Sequence, residues 1–215
     1  MTNKDLFKTE NSIADSYIKN YIYPSEVLPH IGEIIMEIGK TLGDDFYKKV
    51  DNIWIAKNAK LPEFCTINGP CIIDHDAQIR PSAFIRGNAI IGKNSVVGNS
   101  CEIKNAILYD NVEVPHFNYV GDSILGYKSH LGAGSIISNL KSTKTNVTIN
   151  GMETKLRKVG AFLGDYAEIG CNSVLTPGTI VGSNTIIYPL TMVRGVIPEN
   201  KIVKSMDNIV ERTLK

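Results

Sequence analysis

The chain has 215 residues, 43% of them hydrophobic and 21% charged, with a formal net charge of +1. That length suits one large domain, or one domain with a small appendage. The near-neutral charge excludes the electrostatic footprint of a nucleic-acid-binding protein, and no apolar run reaches the ~18–20 residues of a spanning helix. The opening residues Met-Thr-Asn-Lys-Asp lead into polar sequence, not an apolar signal core, so the expected compartment is the cytoplasm.

Residues 1–52 read as an N-terminal helical segment. Ser25 offers a cap, Pro29 falls in the first turn, and Val27, Leu28, Ile31, Ile34, Ile35, Ile38 and Leu42 recur at helical spacing. A weaker helix candidate runs from Asn11 to Tyr21. An apolar stripe of this kind is a packing face, expected to dock on the scaffold or on a neighbouring subunit.

The next segment, 53–197, repeats every six residues from about Ile55. Aliphatics stand at Ile67, Ile73, Ile79, Ile85, Ile91, Val97 and Ile103, and a small residue precedes each by two positions: Cys65, Cys71, Ala77, Ala83, Ala89, Ser95, Cys101. The frame slips near Val114 and Val120 and resumes at Leu125, Leu131 and Ile137. It then returns at Leu163, Ile169, Leu175, Val181, Ile187 and Val193. Six residues are too few for a hairpin or a helix pair but suffice for one flat strand and one turn, with three units closing a triangular coil. The expected fold is therefore an all-β solenoid, a parallel β-helix of hexapeptide repeats, with roughly six coils by that count. Known members of this pattern wind left-handed.

The cysteines Cys65, Cys71, Cys101 and Cys171 match neither zinc-site nor CxxC spacing, so no disulfide and no metal is expected. Between about 140 and 159 the period disappears. Asn150-Gly151, flanked by Val147, Ile149, Met152 and Leu156, predicts a hairpin, and Lys141, Lys144, Lys155, Arg157 and Lys158 make this arm basic. It reads equally as a solvated loop or as a contact for an anionic ligand. A tail, 198–215, carries a terminal helix candidate over Met206 to Leu214.

One stretch holds more chemistry than a coil requires. His116, Tyr119, His130 and Asn139 have no role in the repeat itself. Arg86 and Lys104 lie 18 residues apart, one coil length, which stacks two cations on one face; solvated surface charges would show the same spacing.

The segments His116-Phe-Asn-Tyr-Val-Gly-Asp122 and Leu131-Gly-Ala-Gly-Ser-Ile-Ile-Ser-Asn139 carry a resemblance. Residues 80–195 resemble the acetyltransferase half of the bifunctional enzyme family that makes UDP-N-acetylglucosamine from glucosamine-1-phosphate, its archaeal and clostridial members most closely. The resemblance implies an acetyl-CoA-dependent N-acetyltransferase acting on an amino-sugar phosphate, as a homotrimer with shared clefts. It implies His116 as general base, Arg86 and Lys104 on the phosphate, and Tyr119, His130 and Asn139 as further substrate contacts. It also implies Ala133 and Cys171 on the acyl-donor side, the Ala133 amide meeting the acetyl carbonyl; Lys144, Lys155, Arg157 and Lys158 of the basic arm are alternative contacts for the phosphates of coenzyme A. A histidine suits the base role because only a free amine attacks a thioester and imidazole titrates near neutrality.

Several positions depart from the family. His130 stands where the bacterial enzyme has Asn, and Cys171 where it has Ser. The Gly-rich nucleotide-binding half has no counterpart, so uridylyl transfer is not expected. Two other readings share these residues: a non-catalytic sugar-phosphate or nucleotide-sugar binding module, and an acyltransferase with another acceptor. A metal-dependent hydratase would need three His ligands, and His75, His116 and His130 show no ligand spacing.

Overall fold

The computed structural model describes residues 1–213. Its body is a left-handed parallel β-helix of about eight turns. Backbone ladders run from coil to coil on three faces. The first face stacks Ile53–Ala56, Cys71–Ile73, Ala89–Ile91, the ends of Glu102–Leu108 and Tyr119–Leu125, Ala161–Leu163, Thr179–Val181 and Val196–Ile197. The second carries Val96–Asn99, Glu113–His116 and His130–Leu131, and the third Phe84–Ile85, Ile136–Ile137 and Val174–Leu175. Eight coils exceed the six expected from the aliphatic count because Ile53–Ala56 opens an earlier coil. At the other end Lys201–Ser205 continues past 197, pairing in parallel with Ile186–Ile187.

The inward column is the aliphatic set read from the repeat, with Ile73, Ile91, Val97, Ile103, Leu125 and Leu163 all fully buried. Corners between faces turn through left-handed backbone, supplied largely by Asn, Asp and Gly, which tolerate it: Asp76, Asn94 and Asn111 at one corner, Asn88, Asn105 and Asp122 at another. Phe117 and Leu190 occupy the third corner in the same conformation and are strongly exposed, which is unusual for bulky side chains.

The frame slip lies elsewhere than the aliphatic spacing suggested. It is one missing residue at the same corner of two successive coils, between Ile103 and Leu108 and again between Val120 and Leu125. Both strands, Glu102–Leu108 and Tyr119–Leu125, run continuously around that corner in mutual register. His116 lies outside both shortened corners and pairs in register with Asn99.

The N-terminal segment docks on the solenoid. Pro24 starts a helix, and the Glu26 carboxylate accepts from Tyr23 N at 2.8 Å and Ile22 N at 3.0 Å. Ser25, expected as the cap, sits inside that helix. A 3-10 turn, Leu28–His30, leads into Ile31–Thr41, which packs on the first face. There the residues beside the inward aliphatics, Ile72, Ile90, Ile107, Ile124 and Phe162, are fully buried too. Parallel strands covered on both sides read as unbroken apolar runs. Cys71-Ile-Ile, Ala89-Ile-Ile, Ala106-Ile-Leu and Ala161-Phe-Leu are those runs, and each covered side chain contributes roughly 1.5–3 kcal/mol.

Asn11 to Tyr21 is helical only over Asp15–Ile18. The residues before it form a strap across the coils, clasped by Asp165, which is buried. One Asp165 carboxylate oxygen accepts from Lys8 N at 2.9 Å, Thr9 N at 3.0 Å and the Thr9 hydroxyl at 3.0 Å; the other accepts from Tyr127 N at 2.9 Å. The terminal helix expected over 206–214 is instead a hairpin, Lys201–Ser205 against Asn208–Glu211, with residue 214 outside the described residues. Adding an antiparallel strand satisfies the open edge of the last coil.

Asp165→Ala leaves three part-buried backbone N–H groups without their charged acceptor, a loss of about 3 kcal/mol. Calorimetry should show a lower Tm, and amide exchange should accelerate over residues 6–13 before it does in the coils.

Candidate active site

The motif His116-Phe-Asn-Tyr-Val-Gly-Asp122 rounds a corner and enters the third face. Its residues serve two clusters, one at each end of a short strand.

At the first end, His116 is exposed. The buried side chain of Asn118 fixes its backbone: the Asn118 carbonyl oxygen accepts from His116 N at 3.0 Å, and its amide donates to Gly132 O at 2.8 Å and Ser135 O at 3.1 Å. Gly134 N donates to His116 O at 2.9 Å, so His116 and the Gly132-Ala133-Gly134 turn are neighbours in successive coils. Asn172 N donates to Ala133 O at 2.9 Å, which brings exposed Cys171 beside Ala133 one coil on. Among the described residues, no protein acceptor takes the Ala133 N–H. His116, Ala133 and Cys171 thus form one column.

At the second end, the two shortened corners bring Arg86, Lys104, Tyr119, Asp122 and Asn139 together. Lys104 pairs in register with Gly121, and Arg86 N bonds to Ile103 O at 2.8 Å, which stacks the two cations as their spacing predicted. Arg86 Nη1 meets Glu102 Oε1 at 2.6 Å, and Lys104 Nζ lies 3.3 Å from Asp122 Oδ1. The Asn139 amide donates to Asp122 Oδ2 at 2.5 Å and to the Tyr119 hydroxyl at 3.1 Å. Gly121 is required by this contact, since a Cβ there would lie 2.5 Å from the Tyr119 hydroxyl oxygen and 2.8 Å from Asn139 Nδ2. Burial, with Asp122 and Glu102 close by, raises the Tyr119 phenol above its ordinary value, so it stays protonated and can donate.

His130 does not join either cluster within the chain. It stands on the second face, in register with Glu113 and Glu168, and its Nδ1 lies 3.0 Å from Glu168 Oε2. Lys144 is exposed on the arm, its carbonyl accepting from Arg157 Nε at 3.2 Å. The arm contains the expected hairpin, Thr148–Ile149 against Met152–Glu153, turning at Asn150 and Gly151 with positive φ. Among the described residues no group of His, Cys, Asp or Glu could hold a metal, and no helix is long and apolar enough to cross a membrane.

Sequence reasoning missed Glu102, Asn118 and Asp122. The last two lie inside the quoted motif, and their signal was their place at a corner and its approach, where a side chain can reach the adjoining coil.

The hydrogen bond that protonated His130 donates to the Glu168 carboxylate raises the His130 pKa, and nearby Glu113 adds to this. A raised histidine value stabilises the fold fully below the unfolded value of about 6.5, and that contribution is lost as pH rises through the folded value. The difference in Tm between wild type and His130→Gln should therefore be largest near about pH 6 and shrink through neutrality.

The profile of the family described as GMPPB C-terminal domain matches residues 67–209. The chain is 38% identical over 112 residues to the bifunctional protein GlmU of Methanococcus vannielii, covering 51% of this chain and 27% of that protein. It is 31% identical over 179 residues to a bifunctional sugar-1-phosphate nucleotidylyltransferase/acetyltransferase of Sulfurisphaera tokodaii, covering 72% of this chain and 45% of that protein. The chain thus spans 27–45% of the length of these relatives. Among solved structures it is similar to a UDP-N-acetylglucosamine acyltransferase from Campylobacter jejuni, with 16% identity, TM-score 0.42 and coverage of 71% and 65% of the two chains. The profile match extends over well more than half of the chain, and the protein belongs to the GMPPB C-terminal domain family.

Proposed function

We propose that this protein is an acyltransferase that moves an acetyl group from acetyl-CoA to the amine of glucosamine-1-phosphate or a similar amino-sugar phosphate. Its relatives carry names that include sugar-1-phosphate and acetyltransferase activities. The observation that carries the reading is the pair of clusters flanking the third face. His116 stands beside an N–H without a protein acceptor at one edge of that face, and two cations from successive coils lie at the other.

In this reading Arg86 and Lys104 receive the phosphate, Arg as a planar fork and Lys as a point charge. Tyr119 and Asn139 hold sugar hydroxyls. His116 takes a proton from the acceptor ammonium, freeing the lone pair that attacks the acetyl carbon; as the C–N bond forms the thioester C–S bond breaks, and the thiolate of coenzyme A leaves as the thiol with the proton held on the imidazolium. The Ala133 N–H donates to the carbonyl oxygen as negative charge develops there. Acetyl-CoA, when bound, supplies the activated acetyl group. The small residues around Ala133 fit it, because they leave backbone accessible in the column with Cys171. The exposed basic side chains of the arm, Lys144 among them, suit its phosphates.

The assembly proposed is a homotrimer. The outward ladder of the third face ends in Val174 and Met192, both exposed, with Leu190 79% exposed at the adjoining corner. Such a ladder favours burial against further copies, and a neighbouring copy would bring its own second face, with His130, toward the shared cleft.

The test is thiol release from acetyl-CoA with glucosamine-1-phosphate as acceptor. His116→Ala should lower kcat by about 10²–10⁴ without shifting Tm. Arg86→Ala and Lys104→Ala should raise KM for the sugar phosphate. Equal rates for wild type and His116→Ala would remove His116 from the chemistry.

A further inference from the structure

Neither cation of the acceptor cluster stands free. Arg86 is paired with Glu102, and Lys104 with Asp122. The two carboxylates differ in setting. Glu102 meets Arg86 at the surface, whereas Asp122 is 5% exposed and sits at the second shortened corner with φ 51°. An Asp tolerates that left-handed backbone better than most side chains do.

Asp122 gathers donors from the coils on either side of its own. Its Oδ1 accepts from the Asn105 amide at 2.9 Å and faces Lys104 Nζ at 3.3 Å; its Oδ2 accepts from the Asn139 amide at 2.5 Å. Asn139 is the root of the arm, and its backbone oxygen accepts from Val159 N at 3.0 Å where the arm returns. Asn105 also donates to Leu28 O at 3.3 Å, in the docked N-terminal segment. The Asp122 backbone carbonyl accepts from Gly160 N at 2.7 Å, so main chain and side chain act on the same junction.

We infer that Asp122 is the positioning residue of the acceptor site, an inference that rests on the acetyl-transfer reading. Its carboxylate sets the rotamers of Lys104 and Asn139 before the sugar phosphate arrives. An ammonium has three donors, and the contact of Lys104 with Asp122 leaves the others free for a phosphate oxygen. Asn139 contacts both Asp122 and the Tyr119 hydroxyl, so Asp122 also orients the phenol. Preorganising these groups removes an ordering cost from acceptor binding. It acts on the phosphate end only, since His116 and Ala133 are held separately by Asn118.

This division gives a selective signature. Asp122→Asn keeps the shape but turns an NH2 toward one of the two amide donors, so one donor loses its acceptor. KM for glucosamine-1-phosphate should rise about tenfold or more, as expected for losing a charge-assisted hydrogen bond. KM for acetyl-CoA and kcat at saturating acceptor should stay within about twofold. A merely structural role would lower Tm and disturb both substrates together. Asn105→Gly, which preserves the left-handed backbone and touches no ligand, should raise the acceptor KM in the same direction by less. It decides the matter if Asp122→Asn fails to fold. An active wild type whose acceptor KM is unchanged in the folded variants overturns the positioning role. A wild type that transfers no acetyl group overturns the acetyl-transfer reading instead. Calorimetric binding of glucosamine-1-phosphate to wild type and variants then decides the role of Asp122: equal affinities overturn it and weaker binding by the variants upholds it.

Discussion

Everything in this molecule depends on the backbone hydrogen bonds between successive coils. They fix the vertical repeat, so a residue meets the one eighteen or seventeen positions later, as Cys71 meets Ala89 and Ala89 meets Ala106. Side-chain chemistry is therefore organised in columns. The left-handed residues at the corners make the turns tight enough for those columns to close. Stability accumulates from nearest-neighbour coils, and the docked helices and the Asp165 clasp protect one face of the stack.

The same constraint builds the candidate site. Removing one residue from the same corner of two successive coils leaves the ladders intact but pulls the corner inward. Lys104 and Asn105, Gly121 and Asp122 then converge beneath Asn139, where the arm leaves. The regular corner at the other end of the strand keeps His116 in register and sets it next to the Ala133 turn. One end is thus specialised by shortening, and the other by an Asn side chain that bridges coils.

The solenoid was legible because its signal repeats: each aliphatic and small residue is an independent statement of the same geometry. The stacking of Arg86 on Lys104 followed from the period alone. The number of coils and the covered first face were harder, because Ile53-Trp-Ile-Ala lacks the small residue, and the doubled aliphatics recur only once per coil. The slip was misplaced because the aliphatic column was read without Leu108, which follows Ile103 by five residues and stacks between Ile91 and Leu125. His130 looked equivalent to Tyr119 in the chain, yet its face is the neighbouring one. Asp122 escaped notice because a corner Asp ordinarily serves its own turn, and only three-dimensional stacking reveals donors from residues 105 and 139. The terminal strand read as a helix for a simpler reason: a short apolar run has no period to distinguish the two.

The central claim is that the acceptor binds across the third face, between the Asp122 cluster and His116. Amide NMR of the full chain titrated with glucosamine-1-phosphate tests it directly. The account predicts saturating shifts at Lys104, Tyr119, Gly121, Asp122 and Asn139, with His116 responding and the covered first-face residues Ile72 and Ile90 unchanged. Shifts confined to the second face, or to the arm, would contradict it.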